Sequence, residues 1–221
     1  MRIGEIIETT STGFVAESFE LNRPPPLGSL VVVRVPADGG QDESVHVDLY
    51  AVVTYGHTLG LDPSRRAVRR STDAVFDQAV YQHHPELEHT LHTEFTAALV
   101  GFSDGALVQQ HLPAQPPPLH FSVQEPSTDE VRRFTERFNY LRLIATPSAT
   151  AGYGAGAGQV SPLHVLAANV RQVYRQRGQD QPWLEEAARQ IAILLKNDYE
   201  ALLTVLYAIE PSEPRHGAQE G

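Results

Sequence analysis

Arg2-Ile-Gly-Glu-Ile-Ile-Glu-Thr-Thr10, then Ser11-Thr-Gly13, then Phe14-Val-Ala-Glu-Ser-Phe19 open the chain. Two β-rich runs separated by Ser-Thr-Gly are a hairpin signal. A Pro-rich crossing, Asn22 to Pro26, leads to Leu27-Gly-Ser29 and the apolar run Leu30-Val-Val-Val-Arg-Val35. Gly28 ahead of a β-branched run reads as a turn feeding a buried strand. Three strands in this order, with small turns between them, begin an antiparallel barrel or sandwich.

The 221 residues suit one large domain or two small ones, and an apolar fraction of 41% supports an ordinary core. Formal net charge is −10, so long-range steering favours basic or neutral partners and opposes a nucleic-acid backbone. The cations are almost all arginine, with Lys196 the only lysine. A mechanism that needs a lysine on a phosphate or in a Schiff base has that one residue to use. The absence of cysteine excludes disulfides, thiolate metal sites and a cysteine nucleophile. No apolar run approaches the roughly 20 residues that span a bilayer. Glu5 and Glu8 interrupt any signal-peptide core, so a soluble, cytoplasmic protein is expected, with no membrane contact.

Pro36 to Ser44 is a polar, Gly-rich hairpin turn. In Val45 to Thr58 the residues Val45, Val47, Leu49, Ala51 and Val53 alternate on one face, which predicts a strand, bent or bulged near Gly56. Ser71 to His83 has the spacing of a short helix capped by Ser71-Thr-Asp73 and ended by Pro85. Thr93 to Phe102 reads as a strand with Phe95, Ala97 and Leu99 on one face. Ser103-Asp-Gly105 then turns into a return strand, Ala106 to His111. Pro113 to Pro118 is a stiff extended connector, and Leu119 to Val123 one more short strand.

Ser127 and Glu130 form a capping box for a helix running to about Leu143. Pro147 to Gly158 has the Ser/Ala/Gly composition of a flexible linker. Beyond it, Ser161-Pro162 starts one helix and Gly178 stops it; Gln181-Pro182 starts a second; Tyr199 to Ile209 is a third. The expected organisation is therefore a β domain over 1–126, a helix over 127–146, a linker over 147–160, a helical domain over 161–209 and a disordered tail over 210–221. Three short helices make a thin core by themselves. Their surplus apolar surface, including Trp183 and Leu203, must pack on the barrel, pair with a second copy as a homo-oligomer, or bind a partner.

With these elements in place, the N-terminal part resembles the HAS barrel. This small β-barrel precedes the ATPase core in HerA-type helicases and in rotary ATP synthase subunits. The resemblance is carried by Ile3-Gly-Glu-Ile-Ile-Glu-Thr-Thr10, the hairpin to Phe14-Val-Ala16, Leu27-Gly-Ser-Leu-Val-Val-Val33, Leu49-Tyr-Ala-Val-Val-Thr54, and Glu94-Phe-Thr-Ala-Ala-Leu-Val-Gly-Phe102. It covers roughly residues 1 to 125 and implies an α+β protein: an antiparallel six-stranded barrel followed by a small helical domain. HerA-type ATPases continue into a P-loop. Here Gly152-Tyr-Gly-Ala-Gly-Ala-Gly158 lacks the lysine and hydroxyl that a phosphate cradle needs. The resemblance thus implies a barrel without its motor. Such a chain is expected to be a non-catalytic accessory or adaptor with a protein partner, in the first instance a HerA-like ATPase or a DNA-processing assembly, and no cofactor.

Two clusters carry the remaining chemistry. Arg65, Arg66, Arg69 and Arg70 are the densest basic group on an acidic chain, read either as a partner-binding patch or as a solvated loop; a protein suits them better than DNA. His83, His84, Glu86, Glu88, His89, His92 and Glu94 offer imidazole and carboxylate ligands. They support the alternative function, a metal-dependent hydrolase, although no His-Glu-x-x-His spacing occurs. His46, His57, His111 and His120 stand alone and read as structural. No catalytic, cofactor or metal residue is assigned, and the residues set down for partner binding are Arg65, Arg66, Arg69, Arg70, Trp183 and Leu203.

Overall fold

A computed structural model describes residues 1–37, 46–62, 67–105, 107–145 and 160–210. Six strands close an antiparallel barrel: β1 (Arg2–Thr10), β2 (Gly13–Ser18), β3 (Leu30–Pro36), β4 (His46–Gly60), β5 (Leu91–Ser103) and β7 (Ser122–Gln124). Their order is β2-β1-β7-β3-β4-β5, and pairing of β2 with β5 completes the ring. A two-residue strand, β6 (Val108–Gln109), pairs with the end of β5 outside the ring. The alternation read in the sequence sets the inside: Ile6, Phe14, Val31, Leu49, Phe95 and Val123, one from each strand, meet in one buried cluster. Closure removes the exposed edges that an open sheet would present.

β4 and β5 are longer than the barrel needs. Their pairing runs from Asp48↔Ser103 to Gly60↔Leu91, with irregularities at Tyr50/Ala51 and Val53/Tyr55. β3 accompanies β4 only as far as Val52, and β2 accompanies β5 only between Glu94 and Ala98. The remainder, residues 55–60 and 91–93, continues as a two-stranded arm.

The helices form an outer layer. Among the described residues they are α1 (Gln78–His83), α2 (Leu87–Thr90), α3 (Thr128–Phe134), α4 (Tyr140–Ala145), α5 (Pro162–Gln176), α6 (Gln181–Leu194) and α7 (Tyr199–Ile209). None is long and apolar enough to cross a membrane. A second buried cluster joins the outward side chains Leu30, Val32, Tyr50, Val52 and Val100 of the barrel to α3–α7. The apolar helices pack on the barrel through this cluster, and Ile193, Tyr199 and Tyr207 stay exposed on their outer side. The linker expected at 147–158 and the tail from Pro211 lie outside the described residues, as do most of the turn from Pro36 to Ser44.

The layers meet backbone to backbone at Gly28. Its φ of 80° suits glycine, and an added Cβ would lie 2.5 Å from the carbonyl carbon of Ala168 in α5. Fully buried Asn169 donates from Nδ2 to Gly28 O at 2.9 Å. Aromatic side chains fill the space beside this contact: Phe134 stacks on Tyr50 at 4.3 Å between centroids and meets Tyr140 at 5.5 Å. Burial, and then the charge of Asp48, pushes the Tyr50 phenol up to about 12, so it stays neutral.

Three expected elements differ. The helix read from Ser71 begins only at Gln78, because Thr72 Oγ1 accepts from Val75 N and closes a turn, and Asp77 takes a left-handed φ of 51°. The return strand expected over Ala106–His111 is only Val108–Gln109. The single helix expected from Ser127 to Leu143 is broken after Phe134. Its capping box is present, but distant side chains take the carbonyls of its last turn. Gln110 donates to Phe134 O at 2.6 Å, Trp183 Nε1 to Thr135 O at 2.8 Å, and Arg177 to Arg132 O at 3.0 Å. A carbonyl so held is not free to continue the helical ladder.

Gly28→Ala should cost about 2–4 kcal/mol, the sum of overpacking and left-handed strain. Asn169→Ala should cost about 1–3 kcal/mol by orphaning a buried carbonyl. Urea unfolding of each variant measures both; a Gly28→Ala protein as stable as the parent would contradict the close approach.

Arg34 yields a pH prediction. Its guanidinium reaches Asp48 at 3.4 Å, Gln124 at 2.5 Å and Glu130 at 2.5 Å, tying β3 to β4, β7 and α3. Burial raises the Glu130 carboxyl, but hydrogen bonds from Ser127 and Arg34 outweigh it and hold the group below its ordinary value. Burial raises Asp48 more than Arg34 lowers it. A depressed carboxyl contributes stability above its unfolded value, about 4.3, and loses it as pH falls through the folded one. The stability of Glu130→Gln should therefore fall less steeply below about pH 5 than that of the parent. Identical acid limbs would refute the assignment.

Candidate functional site

The β4–β5 connection contributes Arg69, Arg70, Asp77, Tyr81, Glu86 and His89 to one open cleft at the arm. Strand parity gives the arm two faces. Thr58 and Thr93 are register partners and share a hydrogen bond of 2.8 Å. Asn22, held at φ 62°, donates its backbone N–H to Thr93 Oγ1 at 2.7 Å and its amide to the Tyr81 hydroxyl at 2.6 Å. This clamp fixes α1 over the inner face. Leu61 N, bonded to Thr90 O at 2.9 Å, fixes the far end.

Between the ribbon, the segment from Ala67 to Ser71 and helices α1 and α2 lies a cleft of about 970 Å³. Leu61, Val68, Val80, Leu87 and Leu91 make its apolar wall, and Arg69, Arg70, Asp62, Asp77 and Glu86 bring charge to it. Leu61, Val68 and Phe76 of this region are more than half exposed, at 58%, 69% and 59%. Contiguous exposed apolar surface on a protein marks interaction sites more often than singly scattered side chains do. Glu86 is held below its ordinary value, first by its own backbone N–H and then by His84, whose Nδ1 lies 3.1 Å away.

The other face of the arm carries His57, His92 and Glu94. One carboxylate oxygen of Glu94 lies 3.3 Å from His57 Nε2 and the other 2.9 Å from His92 Nε2. Both Nδ1 atoms are buried without a hydrogen-bond partner. Each oxygen of Glu94 is taken by a ring, so the group works as a cross-strand tie. Among the described residues, no group of three or more His, Cys, Asp and Glu is placed to hold a metal. The run His83–His92 is dispersed accordingly: His84 pairs with Glu86, His89 lines the cleft, and His92 turns to the opposite face. His57, read as isolated, is brought into contact by its register opposite Glu94. That register, with Glu94 two residues after His92, was the available signal.

Of the partner-binding residues expected from the sequence, Arg69 and Arg70 line the cleft and are exposed. Arg65 and Arg66 lie outside the described residues. Leu203 is half-buried on α7, between exposed Tyr199 and Tyr207 on the same stripe. Trp183 is a correction: it is 5% exposed, donates to Thr135 O, stacks on Phe138 at 5.7 Å and lies under the Arg177 guanidinium at 5.4 Å. Its indole serves the interior, so the folded chain does not offer it to a partner. The residues that position the cleft, Asn22, Tyr81 and Thr93, carry no sequence signal of their own; they converge only through the register of β4 and β5.

No family model matches the chain, and no curated protein matches it either.

Proposed function

We propose that this protein is a non-catalytic accessory or adaptor that engages a protein partner through the β4–β5 arm. The observation that carries the reading is the cleft: an open apolar wall with exposed arginines, at the end of an extension that the barrel does not need for closure. The filled interior supports the same reading. Phe14, Phe95 and their neighbours occupy the space in which a wider barrel would hold a ligand. The resemblance to the HAS barrel supplies the class of partner. A barrel of that kind ordinarily sits on a HerA-type ATPase core, and one without a P-loop fits the role of recruiting or regulating such an assembly. Catalytic turnover then belongs to the partner, and localisation is that of the partner's assembly, which we place in the cytoplasm.

The experiment is affinity capture from the native cell with the parent and with Val68→Glu, a substitution at an exposed position that leaves the core untouched. The parent should retain one protein in near-stoichiometric amount that carries a P-loop ATPase core, and Val68→Glu should retain at least about tenfold less. Equal capture by both would remove the arm from the interface. ATP turnover that copurifies with the isolated chain would overturn the accessory reading itself.

A further inference from the structure

Helix α7 carries more apolar surface than the fold covers. Glu200 and Thr204 interrupt an otherwise aliphatic and aromatic sequence from Tyr199 to Ile209. Ala201, Val205 and Ile209 are buried on the inner side. A helix that is apolar all round is normally buried all round. Here Tyr199, Leu203 and Tyr207, spaced by four, form an outer stripe in which the two tyrosines are 69% and 73% exposed. We infer that this stripe pairs with the same stripe of a second copy of the chain, the two helices running antiparallel about a twofold axis at Leu203.

The charges at the two ends of α7 single out that arrangement. Lys196 precedes the N-terminal end and Glu210 closes the C-terminal end. Each lies beside the end of the helix dipole that disfavours its charge. Both are exposed, and neither makes an ion pair among the described residues. A parallel pair would set like charge against like. The antiparallel pair brings Lys196 of each copy to Glu210 of the other, and each charge to the dipole end that favours it. Lys196 and Glu210 stand seven residues to either side of Leu203, and Tyr199 and Tyr207 four, so one axis serves all four contacts. Asp198 is taken up in capping the helix through Ala201 N. Glu200 and its copy are displaced by six residues, about 9 Å along the axis, where water and salt screen them. The net charge of −10 opposes association at a distance, which leaves the stripe to hold the pair. One helix pair is a small interface, so a dissociation constant of about 1 to 100 µM is expected. None of these residues lines the cleft at the arm, so the adaptor reading does not depend on the pairing.

Sedimentation velocity of the full-length protein from about 1 to about 300 µM tests the inference. The mass should rise from one chain to two and stop there, as a closed twofold contact requires. Tyr207→Glu, at an exposed position, should weaken the dimer at least about tenfold, with the urea midpoint of the dilute monomer unchanged. Lys196→Glu and Glu210→Lys should each weaken it about threefold or more, and both reversals in one chain should restore the parental affinity. A single chain at every concentration overturns the inference. So does a dimer that survives Tyr207→Glu, or association that continues beyond two chains. Single reversals without effect, or a double reversal that fails to restore what they removed, overturn it as well.

Discussion

The approach of Gly28 to helix α5 is the contact on which the arrangement depends. A turn without a side chain lets the backbone of the barrel meet the backbone of Ala168 and Asn169, and the Asn169 amide closes the junction on Gly28 O. With α5 seated there, Val131, Phe134, Tyr140 and Leu141 fall over Tyr50, Val52 and Val100. One face of the barrel wall is thereby covered and its apolar side chains are removed from water, the dominant favourable term in folding. The inner sides of the helices pack on the barrel, while Ile193, Tyr199 and Tyr207 stay exposed on their outer side. The distal β4–β5 ribbon runs on where β3 and β2 no longer accompany the pair.

This division explains why one chain carries both a filled barrel and an exposed cleft. Exposed apolar groups on the arm cost solubility unless charge is interspersed, and Arg69, Arg70, Asp77 and Glu86 provide it. The tie of Glu94 to His57 and His92 stiffens the ribbon on its outer face, and the Asn22–Tyr81–Thr93 clamp stiffens it on the inner one. A preorganised arm loses less conformational entropy on binding than a free loop would.

Period-two patterning made the barrel legible. Val47, Leu49, Ala51 and Val53 alternate in the sequence and point inward in the fold, as do Phe95, Ala97 and Leu99. The capping box at Ser127 and the stop at Gly178, with its φ of 78°, were local signals and formed locally. What failed to show in the sequence depends on distant partners. The break after Phe134 is imposed by Gln110, Arg177 and Trp183, each far along the chain. Trp183 looked like a surplus aromatic because nothing near it reveals that Thr135 O awaits its indole N–H. The arginine run at Arg69 and Arg70 was visible as charge, but its setting beside an aliphatic wall follows from the register of two strands and the clamp at Asn22, which no window of sequence contains.

The central claim is that the β4–β5 arm binds the partner while the helices serve the barrel. Hydrogen exchange of the full chain, alone and saturated with the captured partner, tests it most directly. Slowed exchange across Leu61–Leu91, excluding residues 63–66, with α5, α6 and α7 unchanged is the predicted result. Protection on the Tyr199–Tyr207 face of α7 with the arm unchanged would contradict the account.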